Sequence, residues 1–104
     1  MLLSITTPPS AGDVITVKLI NGEEIMARLK NVEGDNYFIE TPVSMQLVPT
    51  GNGQAGVTFV PFLMGLGDES GAIEISYSKM LHRPIKSRDD AMKQYIRSTS
   101  GIEL

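Results

Sequence analysis

Two alternating stretches joined by an asparagine–glycine pair constrain this chain more than any other feature. Ile15, Val17 and Leu19 alternate with Thr16 and Lys18; Asn21-Gly22 follows; Ile25, Ala27 and Leu29 then alternate again. Successive side chains on a strand point to opposite faces, so this spacing builds a sheet with one apolar face rather than a helix of period 3.6. Asn-Gly suits a two-residue type I′ turn, because both central positions there need positive φ. The hairpin is therefore expected to pair 14–20 with 23–32. Val32 leaves the odd-numbered apolar register of Ile25, Ala27 and Leu29. That slip predicts a bulge or sharp bend near Lys30-Asn31.

A third run starts after Glu33-Gly34-Asp35 and covers 36–48, where Val43, Met45 and Leu47 alternate with Ser44 and Gln46. Pro42 cannot donate a ladder hydrogen bond, so it marks an edge or a bend in that strand. Residues 57–64 are apolar on both faces, as in a strand covered by another subunit or by the tail. Ile73 and Ile75 open a further strand, and residues 80–85 close the series. The tail reads as a short helix. Ser87 precedes Arg88-Asp89-Asp90 in a pattern like a capping box, and Met92, Tyr95 and Ile96 share one apolar face. Gly101 suits the C-terminal cap. A helix this short needs docking on the sheet, with Lys93 and Arg97 left in water. The chain divides into a lead-in at 1–13 containing Pro8-Pro9, a β domain at 14–86, and a helix and tail at 87–104.

With 104 residues, the chain is expected to form one domain with a single core. There is no cysteine, which excludes disulfides, thiolate metal sites and a cysteine nucleophile. Met1-Leu2-Leu3 is too short for a signal segment, and no apolar run approaches the roughly 20 residues of a spanning helix. A cytoplasmic protein that needs no membrane is expected. Charge is uneven: residues 1–78 hold three basic and nine acidic side chains, and residues 79–104 hold six basic and three acidic ones. The basic tail segment either solvates the terminal helix or touches nucleic acid.

The catalytic inventory is thin, and no enzyme is expected. Gly51-Asn52-Gly53-Gln54-Ala55-Gly56 matches a glycine-rich phosphate loop literally, but a strand follows it where a phosphate cradle needs a helix N-terminus. His82, the single histidine, lacks the partners of a metal site or a triad and reads as a partly buried structural residue within a strand. Asp68-Glu69 and Asp89-Asp90 are adjacent pairs that suit loop solvation and helix N-terminal charge rather than acid–base work. No cofactor, metal or small-molecule substrate is implied. Two turns offer binding chemistry instead. Asp35, Asn36 and Tyr37 combine a carboxylate, an amide and an aromatic ring; Ser76, Tyr77 and Lys79 combine a hydroxyl, a ring and a cation. Such groups hold single strands by stacking and base-edge hydrogen bonds. They equally serve as ordinary turns whose rings pack on the sheet.

Ile15-Thr16-Val17-Lys18-Leu19-Ile20-Asn21-Gly22, followed by Leu29-Lys30 and a polar turn, resembles the first motif of the Sm and Sm-like RNA-binding proteins. Ile75-Ser76-Tyr77-Ser78-Lys79-Met80 stands where their second motif sits. The early Asn-Gly-Glu and the terminal helix look most like small phage-borne Sm-like proteins. The resemblance spans 15–85 in pattern and 15–30 in residues. Ala27 replaces the family's mid-strand glycine, Glu33 or Asp35 its loop aspartate, and Asn36 its loop asparagine. The second motif's Arg-Gly is absent; Ser76-Tyr77 stands there, with Lys79 the nearest cation. The family's N-terminal helix is missing too.

The resemblance implies an all-β fold: a small, strongly bent, five-stranded Sm-like (SH3-like) barrel, here with a short C-terminal helix. It also implies a homo-oligomeric ring that binds single-stranded RNA, or DNA as second choice, through Asp35, Asn36, Tyr37, Ser76, Tyr77 and Lys79. The alternative is an SH3-like protein-interaction or phage-assembly barrel with no nucleic-acid binding. The net charge of −3 favours that alternative, because phosphate binding normally wants a basic field. The compartment is cytoplasmic in either case, a phage-infected bacterial host cell included.

Overall fold

The computed structural model describes residues 7–62 and 71–99. Six strands and one helix follow in order: β1 (Val14–Lys18), β2 (Glu24–Glu33), β3 (Asn36–Pro49), β4 (Ala55–Pro61), β5 (Ile73–Ser76), β6 (Ile85–Lys86) and α1 (Asp89–Thr99), with one 3-10 turn at Tyr77–Lys79 after β5. The expected residues 63–64 of the fourth strand, the Asp68-Glu69 loop and the Gly101 cap lie outside the described residues.

The pairing is antiparallel, in the order β4-β3-β2-β1-β6, and β5 adds to the first residues of β3. An all-β sheet with a C-terminal helix is therefore present. The described sheet has six strands and is not closed, which differs from a five-stranded closed barrel. It is strongly bent all the same. β5 leaves β3, and three residues on from the start of the 3-10 turn the chain has crossed to the end of β1, where Met80 bridges Leu19. The expected strand at 80–85 is reduced to that bridge and to the two residues of β6.

Two bulges produce the bend. Leu29 faces Ile39 while Asn31 faces Phe38, so Lys30 is an extra residue in β2. The insertion brings Val32 opposite Tyr37, restoring it to the face of Leu29. Met26 faces Val43 while Arg28 faces Glu40, so β3 carries the second extra residue around Thr41-Pro42. Thr41 sits there at φ +50. Pro42 thus marks a bend inside a paired strand, not an edge.

The hairpin turns differ in kind. Gly22 donates its N–H to the Leu19 carbonyl at 2.9 Å, which centres the first turn on Ile20-Asn21. Gly22 has φ +91, and Asn21 has no positive φ. This is a turn closed by a left-handed glycine rather than the expected type I′ turn on Asn21-Gly22. The Asn21 side chain instead accepts from the Glu23 N–H at 2.9 Å, a local bond that asparagine favours.

Both faces of the sheet are buried. Ile15, Val17, Ile25, Ala27, Leu29, Tyr37 and Ile39 form the inner cluster. Val14, Met26 and Val43 form a second cluster on the other face, closed by Tyr95 of α1. Each large aliphatic side chain removed from water in this way contributes roughly 1.5–3 kcal/mol.

The helix docks as expected but on a shifted stripe. Tyr95 is buried, Ala91 and Met92 pack beside it, and Ile96 is exposed along with Lys93 and Arg97. The docked face therefore centres on 91 and 95, and Ile96 lies one step beyond it. Ser87 is not seen capping the helix. It is buried, its hydroxyl lies 2.6 Å from the Thr16 hydroxyl, and its N–H donates to the Val14 carbonyl. The side chain that reads as a cap therefore fastens the approach to α1 onto β1. Asp89 and Asp90 occupy the first turn of the helix, where negative charge complements the exposed N–H groups.

Candidate nucleic-acid interface

The β2–β3 connection has only two residues, because Glu33 and Asn36 are paired. Gly34 takes φ +61, the backbone that a glycine at the first central position of a tight hairpin turn supplies. Asp35 is thereby placed at the tip. On the neighbouring strand, the Ser76 hydroxyl accepts the Ser78 N–H at 3.2 Å and caps the 3-10 turn.

The sheet brings these two segments together. Asn36 faces Ser76, Tyr37 faces Ile75, and the Tyr77 N–H donates to the Asp35 carbonyl at 2.8 Å. Asp35, Asn36, Ser76 and Tyr77 therefore sit at one end of the sheet. Lys79 ends the 3-10 turn, with its side chain exposed and its carbonyl accepting the Ile20 N–H at 2.9 Å.

Tyr37 is placed differently from an open stacking ring. It is only 6% exposed and packs in the inner cluster, so its ring is unavailable to a base and only its hydroxyl reaches the site. That hydroxyl accepts from Arg83 Nη1 at 3.0 Å, while Arg83 Nη2 pairs with Asp35 Oδ1 at 3.0 Å. The same guanidinium lies over the Tyr77 ring, 3.9 Å from its centroid. Arg83 is the centre of the cluster, yet nothing local in the sequence singles it out: its hydrogen-bond partners lie 46 and 48 residues away. The only available signal was the basic bias of the tail.

His82 ties the backbone of Arg83 to that of Lys18. The Lys18 N–H donates to His82 Nε2 at 3.1 Å, so Nε2 carries no proton. Nδ1 then carries it and donates to the Arg83 carbonyl at 2.8 Å. His82 is partly buried, as expected, though it lies in a bend and not in a strand. The bonds from Tyr37 and then Asp35 raise the guanidinium pKa above its ordinary value, so the group is a fixed cation. Its side chain remains half exposed. A guanidinium over an aromatic ring, with its side chain half exposed, has the chemistry to stack on a nucleobase.

Other candidate chemistry does not assemble. Of the glycine-rich segment, residues 51–54 form the tip between β3 and β4, where the Thr50 N–H donates to the Gln54 carbonyl at 3.1 Å, and Ala55-Gly56 already belong to strand β4. Among the described residues, no three His, Asp or Glu side chains could hold a metal ion, and no helix is long and apolar enough to cross a membrane. No protein-family model matches the chain, and no curated protein sequence matches it.

Proposed function

We infer that this protein is a non-enzymatic, Sm-like β module that binds single-stranded nucleic acid, RNA ahead of DNA, at the end of the sheet where the two loops meet. The observation that carries this reading is the Arg83 guanidinium held over Tyr77 and fixed by Tyr37 and Asp35. Arg83 and Tyr77 supply a stack for one base. Asn36, whose amide makes no hydrogen bond among the described residues, supplies a donor and an acceptor for a base edge. Lys79 neutralises a phosphate. Arg83 takes the place of the cation that the second motif lacks.

Self-assembly is part of the reading. The outer strands β4 and β6 end the sheet path without a ladder partner on their far sides among the described residues. Ile85, in β6, is 45% exposed. Open apolar edges at opposite ends of one sheet favour head-to-tail pairing that closes as a ring. In such a ring, one weak site per copy adds through effective concentration, so a chain of net charge −3 still holds an anionic strand.

The test is fluorescence anisotropy with labelled oligo-U, oligo-A and oligo-dT at low salt, for the wild type and for Arg83→Ala with Lys79→Ala. The wild type binds and the double variant loses most of its affinity. Equal binding by both moves the site elsewhere. No binding by the wild type favours the second reading, a protein-interaction or phage-assembly module, which the acidic net charge supports.

A further inference from the structure

The β3–β4 hairpin runs on beyond the rest of the sheet. β2 pairs with β3 no further than Ser44, whereas β4 follows it to Pro49. The outer half is thus a two-stranded arm, and a two-stranded hairpin alone is marginal in water. Met45 faces Phe59 and Leu47 faces Val57 without a register shift, so the four side chains share one face. It is the face that α1 covers, because Met45 and Phe59 pack with the Tyr95 cluster. The cover stops short of the arm: Leu47 is 74% exposed and Val57 44%. Adjoining them is a groove of about 400 Å³ between β4, β6 and the start of α1, with Met45, Val57, Phe59 and Ala91 in its lining.

The arm also lacks charge. No Asp, Glu, Lys, Arg or His occurs between Glu40 and Asp68, so both strands of the arm are uncharged. Exposed strands in soluble proteins normally carry charges that discourage pairing.

We propose that this face is a two-fold interface between two copies of the chain, each arm laying Leu47 and Val57 into the other's groove. Charge selects a second copy as the occupant. Two chains of net charge −3 repel across most approaches, whereas the arm is uncharged and the charged residues lining the groove, Glu24, Lys86, Arg88 and Asp90, sum to zero, so arm and groove meet without net repulsion. Continuity selects it as well. Arm and groove adjoin on one face and share Val57, so a two-fold axis seats both arms at once and leaves neither apolar face uncovered. The contact uses the face of the arm. It leaves the edges of β4 and β6 to the ring, so it pairs two rings, or gives a dimer where no ring forms. It does not depend on nucleic-acid binding.

Light scattering coupled to size exclusion tests it, on the wild type and on Leu47→Lys with Val57→Lys. The variant is expected to have half the mass of the wild type, with unchanged circular dichroism. A dimer split into monomers supports this interface and removes the ring. An unchanged larger mass overturns the interface and leaves the ring. A monomeric wild type overturns both and leaves the face to a different partner. If the double variant fails to fold, the natural absence of cysteine allows a second measurement. Leu47→Cys and Ala91→Cys chains are mixed and oxidised. A disulfide between the two kinds of chain supports the proposal, and its absence overturns it.

Discussion

The Tyr95 hydroxyl donates to the Thr41 carbonyl at 2.7 Å, across 54 residues of sequence. Thr41 lies in the β3 bulge at φ +50, where the extra residue turns its carbonyl out of the ladder. The Glu40 carbonyl is also near, at 3.3 Å from the same hydroxyl. The terminal helix thus supplies the donor that the bend in the sheet requires, and the helix and the bend stabilise each other.

Replacing Tyr95 with Phe keeps the ring and removes that donor. Stability should fall by about 1–2 kcal/mol, the usual effect of leaving a partly buried acceptor unsatisfied. Tyr95→Ala should cost about 3–5 kcal/mol, because a fully packed ring is lost. Urea unfolding checks both, through a lower midpoint at an unchanged slope.

Burial pushes the Tyr95 phenol up to about 12. An unfolded chain ionises near the ordinary tyrosine value of roughly 10. The neutral hydroxyl's contribution is therefore complete below that value and is lost as pH rises to about 12, because the unfolded state gives up its proton first. The loss is on the order of 2 kcal/mol. Urea midpoints measured up that range should fall more steeply for the wild type than for Tyr95→Phe. Parallel profiles would sink the idea.

Thr41 is β-branched and holds a left-handed backbone, which L residues other than asparagine, aspartate and glycine resist. Thr41→Asn should raise stability by roughly 1 kcal/mol, since the exposed side chain gives up no packing. Thr41→Val should bring no gain. Thermal unfolding of the two variants decides it.

The bond between Ser87 and Thr16 should show as coupling. A double-mutant cycle with Ser87→Ala and Thr16→Val should give about 0.5–1.5 kcal/mol of interaction. Additive losses would mean that this bond does not fasten the approach to α1 onto β1.

Arg83→Lys keeps the charge but loses the planar fork and the stack. If the stack holds a base, this variant should lose roughly tenfold in oligonucleotide affinity, close to the loss of Arg83→Ala. Lys79→Ala should instead weaken all oligonucleotides alike and lower the salt slope by roughly one. Anisotropy titrations across a salt series separate the two effects.

Much of the scaffold was legible along the chain. The alternation at 15–29 located two strands, and the misfit of Val32 located the Lys30 bulge. The spacing of Met92 and Tyr95 located a docked helix. Each is a local signal, because backbone geometry sets the periods of 2 and 3.6 residues and a bulge shifts the first by one.

What the tertiary structure decided was non-local. Asn21-Gly22 promised positive φ at both residues, but the strands it joins accept it at Gly22 alone. Tyr37 reads as a loop aromatic, yet pairing of β3 with β2 and β5 carries it into the core. Ser87 reads as a cap until β1 brings Thr16 beside it. Arg83 had no readable role until its segment returned beside Asp35 and Tyr37. A residue's period can be read from its neighbours in sequence, but its partners depend on which distant strand the bend brings alongside.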